Sequence, residues 1–482
     1  MSQPPVVVVG AGPVGATAAL LLARRGLAVL LLDRQPRPPA VPRAVHLDDE
    51  ALRALADAGV AEEFLAVSRP AAGLRLVDAA HRVLAEFGRE PGAGRHGWPQ
   101  ASMFHQPDLE AVLRAAVVRT PGITLRTPAE VVGLTARADR SVTVAVVDRR
   151  TGERADVHAA AVLGCDGAHS TVRRLLGGRM RDLGRPDRWL VADLRAPSPL
   201  PVWPGVHQVC DPARAATFMP VSGDRYRFEA RLLPGETVSG LAGGLPRLLA
   251  PFGAADAEVV RCAEYVYRAQ VTDRWRRGRV LLAGDAAHLT PPFVGQGLGL
   301  GLRDVHQVAW KLAAVVTGTA PEDLLDTHGA ERGPHARALV RLAALVGRLM
   351  TGGGAGAVPV RRAVLAAVVG VPALAAYATD SRTPPLRSGP LVDRRGRAGR
   401  RLAGALVPRA RVRVDGRECR LDDVLGAGTA VVATASPGRV AVTAAGRRTE
   451  VDDVDGALTA WLGAGRARYA VVRPDRVVRA AG

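Results

Sequence analysis

The first strong pattern along the chain is an apolar run, Val6 to Val9, that ends at a glycine. Short β-branched runs of this kind are typical of parallel strands that are buried on both faces. The following "VGATAALLLARRG" has apolar residues at helical spacing and stops at Gly26. A second apolar run, "AVLLLD", comes next. The pattern therefore predicts a strand, a helix and a second strand, which together form a βαβ unit.

A different pattern, strict alternation, occurs in "RYRFEARLL" near the middle of the chain. Its apolar and aromatic side chains fall on one face and its charged side chains on the other. A period of two is typical of a half-buried strand in a mixed or antiparallel sheet. We therefore predict a β-sheet domain at residues 186–271, inserted into a discontinuous α/β domain that covers 1–185 and 272–350.

Two weaker patterns organise the rest of the chain. The apolar segment Ala363 to Ala378 and the Pro/Gly/Arg-rich span that follows it predict a helical segment and linker over 351–400. The strand-like "TAVVATA" and "RYAVVRPDRVV" predict a small α/β domain at 401–482. The apolar segment is short for a membrane span and contains Pro372, so we expect no membrane insertion.

Composition narrows the class of protein. A chain of 482 residues with 48% hydrophobic residues predicts two or three folded domains. The formal net charge of +19 comes almost wholly from arginine spread along the chain, because Lys311 is the only lysine. We expect no nucleic-acid partner, although such a field favours anionic cofactors and carboxylated substrates. The 4 cysteines form no C-x-x-C pair, so no metal or redox dithiol is expected, and we predict a cytoplasmic protein.

The junction between the first strand and helix carries G-x-G-x-x-G, formed by Gly10, Gly12 and Gly15. In such a motif the first glycine permits a tight turn, the second lets a pyrophosphate approach the backbone, and the third lets the helix pack on the strand. Asp33 ends the second strand, where an acid is spaced to bind a ribose. These residues predict a dinucleotide site that suits either FAD or NAD(P).

Two later motifs narrow that choice. "LGCDGAHSTVRRLLG" contains Asp166 and Gly167, and "GDAAHLTPPFVGQGLGLGLRD" begins with Gly284 and Asp285. With these motifs the chain resembles, over essentially its whole length, the class A FAD-dependent aromatic hydroxylases, typified by p-hydroxybenzoate and phenol hydroxylases. Within that family it is most similar to the 3-(3-hydroxyphenyl)propionate hydroxylase-like and polyketide-tailoring monooxygenases.

The resemblance implies a fold and a reaction. The fold would be α/β: a Rossmann-like, glutathione-reductase-type FAD-binding domain, an inserted mixed β-sheet substrate domain and a C-terminal thioredoxin-like domain. The reaction would be hydroxylation of a phenolic or polyketide ring through a flavin C4a-hydroperoxide. Its partners would be bound FAD, transient NADPH or NADH, O2 and a small aromatic substrate. The chain would be a monomer or a homodimer.

The resemblance also implies which residues hold FAD. Asp285 and Gln106 would reach the ribityl chain and Arg43 would help hold the cofactor. The glycines after Pro292 would let backbone N–H groups approach the flavin pyrimidine edge. The full predicted set is Gly10, Gly12, Pro13, Val14, Gly15, Asp33, Arg34, Arg43, Gln106, Asp166, Gly167, Gly284, Asp285, Pro292, Gly295, Gly297, Leu298 and Gly299.

The catalytic residues are less well defined by sequence. A phenol is activated by losing its proton, so an acceptor near the ring is expected. The candidates are His46, His207 and Tyr226, with Pro292 stiffening the wall beside the flavin. Gly299 stands where the family usually has asparagine, which keeps open the alternative of a flavin-binding protein with little or no turnover. A flavin halogenase is disfavoured because its W-x-W-x-I-P motif is absent.

Overall fold

The computed structural model describes residues 3–38, 42–89, 92, 94–352 and 383–482. Its helices are α1 (Pro13–Ala23), α2 (Asp49–Asp57), α3 (Ala61–Ala66), α4 (Gln106–Arg119), α5 (Thr171–Leu175), α6 (Val238–Ala242), α7 (Leu245–Leu249), α8 (Gly297–Val316), α9 (Asp326–Thr351), α10 (Gly396–Leu402), α11 (Leu421–Leu425) and α12 (Ala457–Gly465). Its strands are β1 (Val6–Val9), β2 (Val29–Leu32), β3 (His46–Asp48), β4 (Ser68–Pro70), β5 (Gly73–Val77), β6 (Val83–Gly88), β7 (Ala101–Phe104), β8 (Ile123–Arg126), β9 (Ala129–Ala136), β10 (Val142–Asp148), β11 (Arg154–Ala159), β12 (Ala161–Gly164), β13 (Met180–Asp182), β14 (Asp187–Arg195), β15 (Val206–Val209), β16 (Ala216–Pro220), β17 (Arg225–Arg231), β18 (Glu258–Tyr267), β19 (Gln270–Thr272), β20 (Arg276–Arg277), β21 (Val280–Leu282), β22 (His288–Leu289), β23 (Arg411–Val414), β24 (Arg417–Arg420), β25 (Ala430–Ser436), β26 (Arg439–Ala444), β27 (Arg447–Asp453), β28 (Tyr469–Val472) and β29 (Val478–Ala481).

The predicted βαβ unit lies at the centre of a six-stranded sheet, ordered β20-β21-β12-β1-β2-β8. All its pairings from β21 to β8 are parallel. Val9, the last residue of β1, pairs with Gly164 on one side and with Leu32 on the other. Because parallel strands end at the same edge, the loops after β1, β2, β12 and β21 meet there, which is where open α/β sheets bind ligands.

Helices α1 and α8 cover one face of this sheet and bury its apolar side chains. Leu20 and Leu22 of α1 pack in one cluster with Leu302, Val305 and Leu312 of α8, all at most 1% exposed. At about 25 cal/mol per Å² of buried apolar surface, such packing is the main force that holds the glycine loop in place. The site edge is therefore built on a rigid two-layer core.

A second, seven-stranded sheet, here called the middle sheet, is ordered β18-β14-β17-β16-β15-β5-β6. Five of its strands come from the predicted inserted range 186–271. The other two, β5 and β6, come from residues 73–88, and β5 pairs in parallel with β15. The sequence did not predict that β5 and β6 join this sheet. Pairing between strands so distant in the chain leaves no hydrophobic pattern in either strand from which it could be recognised.

The C-terminal sheet is ordered β24-β23-β27-β26-β25-β28-β29, and every described pairing in it is antiparallel. Buried ion pairs join this domain to the rest of the chain. Arg473 binds Glu331 of α9 at 3.0 Å, and Lys311 of α8 reaches the same carboxylate at 2.9 Å. All three side chains are at most 2% exposed. Removing one partner of such a group leaves an unpaired buried charge, so the contact holds the domain in one orientation.

The start of α2 carries three consecutive acids: Asp48 at the N-cap, and Asp49 and Glu50 in the first turn. Asp48 caps the helix by accepting a hydrogen bond from the Ala51 N–H at 2.7 Å. Burial, together with the charges of Asp48 and Glu50, raises the pKa of Asp49 to about 8. Asp49 is therefore held as the neutral acid at pH 7.

Replacing Asp49 by asparagine tests this protonation state. A carboxyl with a raised folded pKa contributes stability that is fully present below its unfolded pKa of about 4. That contribution is lost as pH rises through about 8. We expect Asp49→Asn to match the wild type in free energy of unfolding near pH 4. As pH rises above 4, the free energy of unfolding of the variant should exceed that of the wild type by an amount that grows by up to about 1.4 kcal/mol per pH unit. Urea unfolding at several pH values measures this, and a pH-independent difference would contradict it.

Among the described residues, no helix has the length and apolarity needed to cross a membrane. The apolar segment Ala363 to Ala378 of the sequence analysis lies outside the described residues. The span after it does include a regular element, since α10 begins at Gly396, inside the predicted linker.

Candidate active site

The glycine loop after β1 is shaped by close backbone approach. Gly10 has φ +100°, a left-handed conformation that favours glycine. A Cβ on Gly15 would overlap the carbonyl oxygen of Gly10 and lie 3.2 Å from Cβ of Cys165. Neither Gly10 nor Gly15 lines the cavity described below, so both act by letting α1 pack against the strand ends.

Gly12 belongs to the same motif, but the position of its Cβ lies in open space instead of against the backbone. No atom lies within 4 Å of the position its Cβ would occupy, and this glycine lines the cavity. It is the N-cap of α1, and no side chain there accepts from the first N–H groups. Free N–H groups and the helix dipole suit an anion such as a pyrophosphate. The open space and the unused donors therefore fit a dinucleotide phosphate.

The cavity has a volume of about 1310 Å³ and connects this helix start with the middle sheet. Pockets for a single drug-sized ligand hold about 300–1,000 Å³, so there is room for more than one molecule. His46 lines this cavity. Most of the predicted cofactor residues line it too: Gly12, Pro13, Val14, Arg43, Gln106, Gly167, Asp285, Pro292, Gly295, Gly297 and Leu298.

The remaining predicted residues, Gly10, Gly15, Asp33, Arg34, Asp166, Gly284 and Gly299, do not line the cavity. Asp33 Oδ2 accepts the backbone N–H of Ala11 at 2.7 Å, so this acid braces the glycine loop. Arg34 beside it is exposed. Asp166 Oδ2 accepts the N–H groups of Thr171 at 2.7 Å and Val172 at 3.0 Å. It thereby holds the start of α5 and presents Gly167 to the cavity.

Gln106 braces the segment that carries Arg43. Its Oε1 accepts the backbone N–H groups of Arg43 at 2.8 Å and Ala44 at 2.7 Å, and its Nε2 donates to Glu110. From the middle sheet, Arg227 donates to the carbonyl oxygen of Arg43 at 2.9 Å. Two domains therefore position this loop.

A buried ionic cluster holds the motif that contains Gly284 and Asp285. Asp304 of α8 is fully buried and accepts the Gly284 N–H at 3.0 Å. The same carboxylate bonds His288 Nε2 at 2.6 Å and Arg332 Nε at 2.7 Å. Although burial alone would raise the pKa of Asp304, the charges of His288 and Arg332 hold it well below its usual value. Asp304 was not predicted as a site residue, and it positions the turn without lining the cavity.

Asp285 itself lines the cavity, and burial raises its pKa. No hydrogen bond to its side chain is present among the described residues. The carboxyl group is half-buried and its residue lines the cavity, so its oxygens can accept a hydrogen bond from a ligand hydroxyl. This observation fits a polyhydroxylated chain such as ribityl at this position.

The glycine-rich segment after Pro292 leads into α8. Gly295 has φ +62° and accepts a hydrogen bond from His46 Nδ1 at 3.2 Å through its carbonyl oxygen. A Cβ on Gly297 would meet nothing within 4 Å, which leaves the helix start open toward the cavity. A Cβ on Gly299 would lie 2.8 Å from Nη1 of Arg303 and 3.4 Å from Cβ of Ala51. Position 299 therefore points toward α2 and Arg303.

The structure separates the three side chains proposed as proton acceptors. His46 lines the cavity, and burial followed by the charge of Arg89 lowers its pKa to about 4, so it is neutral at pH 7. His207 does not line the cavity, and its Nε2 donates to the Trp203 carbonyl oxygen at 2.9 Å within an aromatic cluster. The hydroxyl of Tyr226 accepts from the Leu200 N–H, and its ring packs in the core.

Strand β17 does line the cavity, but with the face opposite to Tyr226. Arg227 and Glu229 point into it, while Tyr226, Phe228 and Ala230 pack into the apolar core behind the sheet. The two predicted faces of this strand are confirmed, and Tyr226, a candidate acceptor from the sequence, lies on the core face rather than the cavity face. Sequence reasoning also missed Trp189, Tyr267 and Phe293, which line the cavity. No set of three or more metal-ligating side chains is found in the described part of the chain.

Comparison with known proteins identifies the class. A parallel sheet whose strand ends carry a glycine loop and a large cavity defines a dinucleotide-binding α/β protein. The family model described as "FAD binding domain" matches residues 3–343, so the chain belongs to that family, and its curated relatives are named aromatic hydroxylases. The model described as "HcaD C-terminal domain" matches residues 434–482.

Two relatives illustrate the likeness. A probable NADH-specific resorcinol 4-hydroxylase of Rhodococcus jostii (strain RHA1) is 34% identical over 89% of this chain and 78% of its own length. A 3-(3-hydroxy-phenyl)propionate/3-hydroxycinnamic acid hydroxylase of Mycolicibacterium gilvum (strain PYR-GCK) is 36% identical over 89% of this chain and 75% of its own. The resemblance to class A aromatic hydroxylases is thereby confirmed.

Solved structures share the fold over the whole chain. The OxyS anhydrotetracycline hydroxylase from Streptomyces rimosus superposes with a TM-score of 0.75 at 26% identity, covering 100% of this chain and 96% of that one. A complex of aklavinone-11 hydroxylase with FAD and aklavinone gives a TM-score of 0.79 at 24% identity, with the same coverage. The mixed α/β fold is that of FAD-dependent hydroxylases.

Proposed function

We propose that the cavity holds FAD along the ends of the parallel strands and an aromatic substrate against the middle sheet. The observation that carries this proposal is the single 1310 Å³ cavity, which reaches from Gly12 at the start of α1 to Glu229 on β17. Bound FAD would accept electrons from a nicotinamide and deliver one oxygen atom of O2 to the ring, chemistry that belongs to the cofactor.

The chain's own residues would bind, orient and shield. The N–H groups at the start of α1 would bind the pyrophosphate, and Asp285 would accept a ribityl hydroxyl. Arg43, held by Gln106 and Arg227, would lie beside the cofactor. The helix start at Gly297 would present N–H groups to an anionic ring edge. Pro292 would stiffen the wall that keeps water from the reacting atoms.

The finer architecture belongs to the same proposal. We assign 1–185 and 272–350 to a glutathione-reductase-type FAD domain and 186–271 to the substrate domain, with β5 and β6 added to the latter's sheet. The 351–400 segment links these to a 401–482 domain. The thioredoxin-like assignment of that domain stays a prediction, and its wholly antiparallel described sheet counts against the parallel βαβ half that thioredoxins have. Since it has no C-x-x-C pair, we propose a structural role for it.

We propose phenols as the substrate class and NADH as the reductant. Both choices rest on the relatives, one of which is named as NADH-specific. The cavity supports a ring substrate, since it combines apolar walls such as Trp189 and Met219 with a few polar groups such as Thr217. A fused polyketide ring system is the second candidate, because the fold matches hydroxylases of such compounds over its full length.

Reconstitution followed by turnover tests this function. Purified protein is loaded with FAD, reduced anaerobically with NADH or NADPH, and reoxidised with isotopically labelled O2 in the presence of resorcinol, 3-(3-hydroxyphenyl)propionate or anhydrotetracycline. We expect the phenol to accelerate flavin reduction by NADH and one labelled oxygen atom to enter the product. Protein that binds FAD but gives no labelled product with any of these compounds would support the alternative of a flavin binder without turnover.

A further inference from the structure

The middle sheet presents a row of polar side chains to the cavity. Gln208 on β15, Thr217 on β16 and Glu229 on β17 lie opposite one another in the pairing register, and all three line the cavity. Thr217 Oγ1 donates to Gln208 Oε1 at 2.9 Å, and Gln208 Nε2 donates to the Ala216 carbonyl oxygen at 3.0 Å. The donors of these two side chains are therefore used within the sheet, and Glu229 is the one member of this row of three that carries an ionisable acceptor.

Glu229 forms a pair with Tyr267 of β18. The Tyr267 hydroxyl donates to Glu229 Oε2 at 3.0 Å, and both side chains line the cavity. Among the described residues, no hydrogen bond reaches the other carboxylate oxygen, Oε1. Glu229 is only 7% exposed, so an acceptor oxygen facing the cavity is available to a ligand rather than to bulk water.

Burial and the neighbouring charges act in opposite directions on the pKa of Glu229. Burial raises the pKa of Glu229, whereas the Arg227 guanidinium and the Tyr267 hydroxyl favour its carboxylate form. Asp193, which is paired with Arg227 at 2.7 Å, opposes them. Burial and the adjacent Glu229 raise the pKa of Tyr267 well above its usual value, so the tyrosine keeps its proton and acts as a donor. A base works best when its affinity for the proton is neither very low nor very high near the working pH.

Aromatic rings connect this pair to the segment beside the proposed flavin. The Trp189 ring lies 5.6 Å from that of Tyr267 and 5.8 Å from that of Phe293, measured between centroids. Phe293 belongs to the 3₁₀ turn Pro292–Val294, which leads into the glycine segment. Trp189 lies on β14, whose Val191 pairs with Glu229 on β17, so a ring bound against these aromatic side chains would lie beside the part of the middle sheet that carries Glu229.

On the proposed function of this same cavity, we infer that Glu229, oriented by Tyr267, is the acceptor that takes the proton from the substrate's ring hydroxyl. The O–H bond of the phenol breaks, the proton moves to Oε1 of Glu229, and both bonding electrons stay on the ring oxygen. Nothing is oxidised or reduced in this step. The resulting phenolate is richer in electrons and reacts more readily with an electrophilic oxygen. Glu229 returns its proton to solvent when the product leaves.

This assignment replaces the three acceptors inferred from sequence. Among them only His46 lines the cavity, and its Nδ1 is engaged with the Gly295 carbonyl oxygen. Its lowered pKa makes it a weak base. Tyr226 faces the core side of β17, one residue from Arg227 and three from Glu229, and so provides a matched control on the same strand.

The test compares Glu229→Gln, Tyr267→Phe and Tyr226→Phe with the wild type, all loaded with FAD. The probes are resorcinol, 3-(3-hydroxyphenyl)propionate and ring-fluorinated derivatives of each, whose hydroxyls are progressively more acidic. A general base contributes about 10²–10⁴-fold, so Glu229→Gln should lower kcat for the unfluorinated phenol by about 100-fold or more. The loss should shrink steadily as the phenol becomes more acidic. Tyr267→Phe should show the same trend with a loss of about tenfold, the effect of one hydrogen bond.

Two further readouts separate the outcomes. FAD content and the rate of anaerobic flavin reduction by NADH without phenol should be unchanged in all three variants, and Tyr226→Phe should keep the wild-type kcat. A loss that is equal for every phenol, or full activity of Glu229→Gln, would overturn the inference; if Glu229→Gln does not fold, the Tyr267→Phe trend decides. Absence of product from the wild type would instead reject the proposed function.

Discussion

Gly15→Ala is expected to prevent stable folding of the dinucleotide domain, while the equally small change Gly12→Ala should leave the fold intact and remove the bound cofactor. The reason lies in what each new methyl group would meet. At Gly15 it would overlap the carbonyl oxygen of Gly10, which is backbone and cannot move without shifting β1 against α1. At Gly12 it would meet no protein atom within 4 Å. It would instead fill the space proposed above for the pyrophosphate.

The measurements for this pair are soluble yield, the free energy of unfolding and FAD content. Overpacking a tight site costs about 1–3 kcal/mol or more, and here the obstacle is rigid backbone, so Gly15→Ala should lose at least that much. Gly12 has φ −68°, which alanine adopts freely, so Gly12→Ala should unfold like the wild-type apoprotein. Retention of yellow colour by Gly12→Ala would contradict the placement of the phosphates at α1.

The second large effect is expected for Asp304→Asn. This carboxylate is fully buried and bonds His288, Arg332 and the Gly284 N–H. Breaking a buried pair by removing one charge typically costs about 3–5 kcal/mol, because the partner charge is left without compensation. FAD affinity should fall as well, since the Gly284 N–H contact holds the turn that presents Asp285.

The dependence on pH gives this prediction a second check. Because its folded pKa is lowered, Asp304 contributes stability that is present above its unfolded pKa of about 4 and is lost as pH falls through the folded value. The gap in free energy of unfolding between wild type and Asp304→Asn should therefore be widest at pH 6–7 and narrow below about pH 4.

Asp326→Asn is the matched control. Asp326 pairs with Arg276, but its side chain is 70% exposed. Exposed ion pairs contribute about 0–1 kcal/mol, so Asp326→Asn should leave both the free energy of unfolding and the FAD content nearly unchanged. Equal losses in the two variants would show that charge removal in general, and not the buried cluster, is responsible.

Local signals predicted the βαβ unit at the start of the chain well. The apolar runs of β1 and β2, the helical spacing of α1 and the glycines between them specify their structure through neighbours a few residues away, so they could be recognised in isolation. The later motifs at Asp166 and Asp285 were found in the same way, because each follows a buried strand of the same sheet. The sequence did not show which residues of these motifs shape the backbone and which face the cavity. Gly15 and Asp166 shape the backbone, while Gly12 and Gly167 face the cavity.

The part of the cavity that the middle sheet forms depended on tertiary structure. The alternation in β17 identified two faces, but which face turns toward the cavity depends on how the middle sheet packs, and this is decided by contacts with β14 and β16. The addition of β5 and β6 to that sheet depends on pairing across more than a hundred residues.

The sequence by itself determined the class of protein, the cofactor motifs and their order, because these rest on short-range geometry around glycines and strand ends. The tertiary structure alone decided that Tyr226 packs in the core, that His207 is buried away from the cavity, and that Glu229, Tyr267 and Trp189 line the cavity together. The physical reason is that side chains on three different strands become neighbours only through sheet register, which no single segment of the chain encodes.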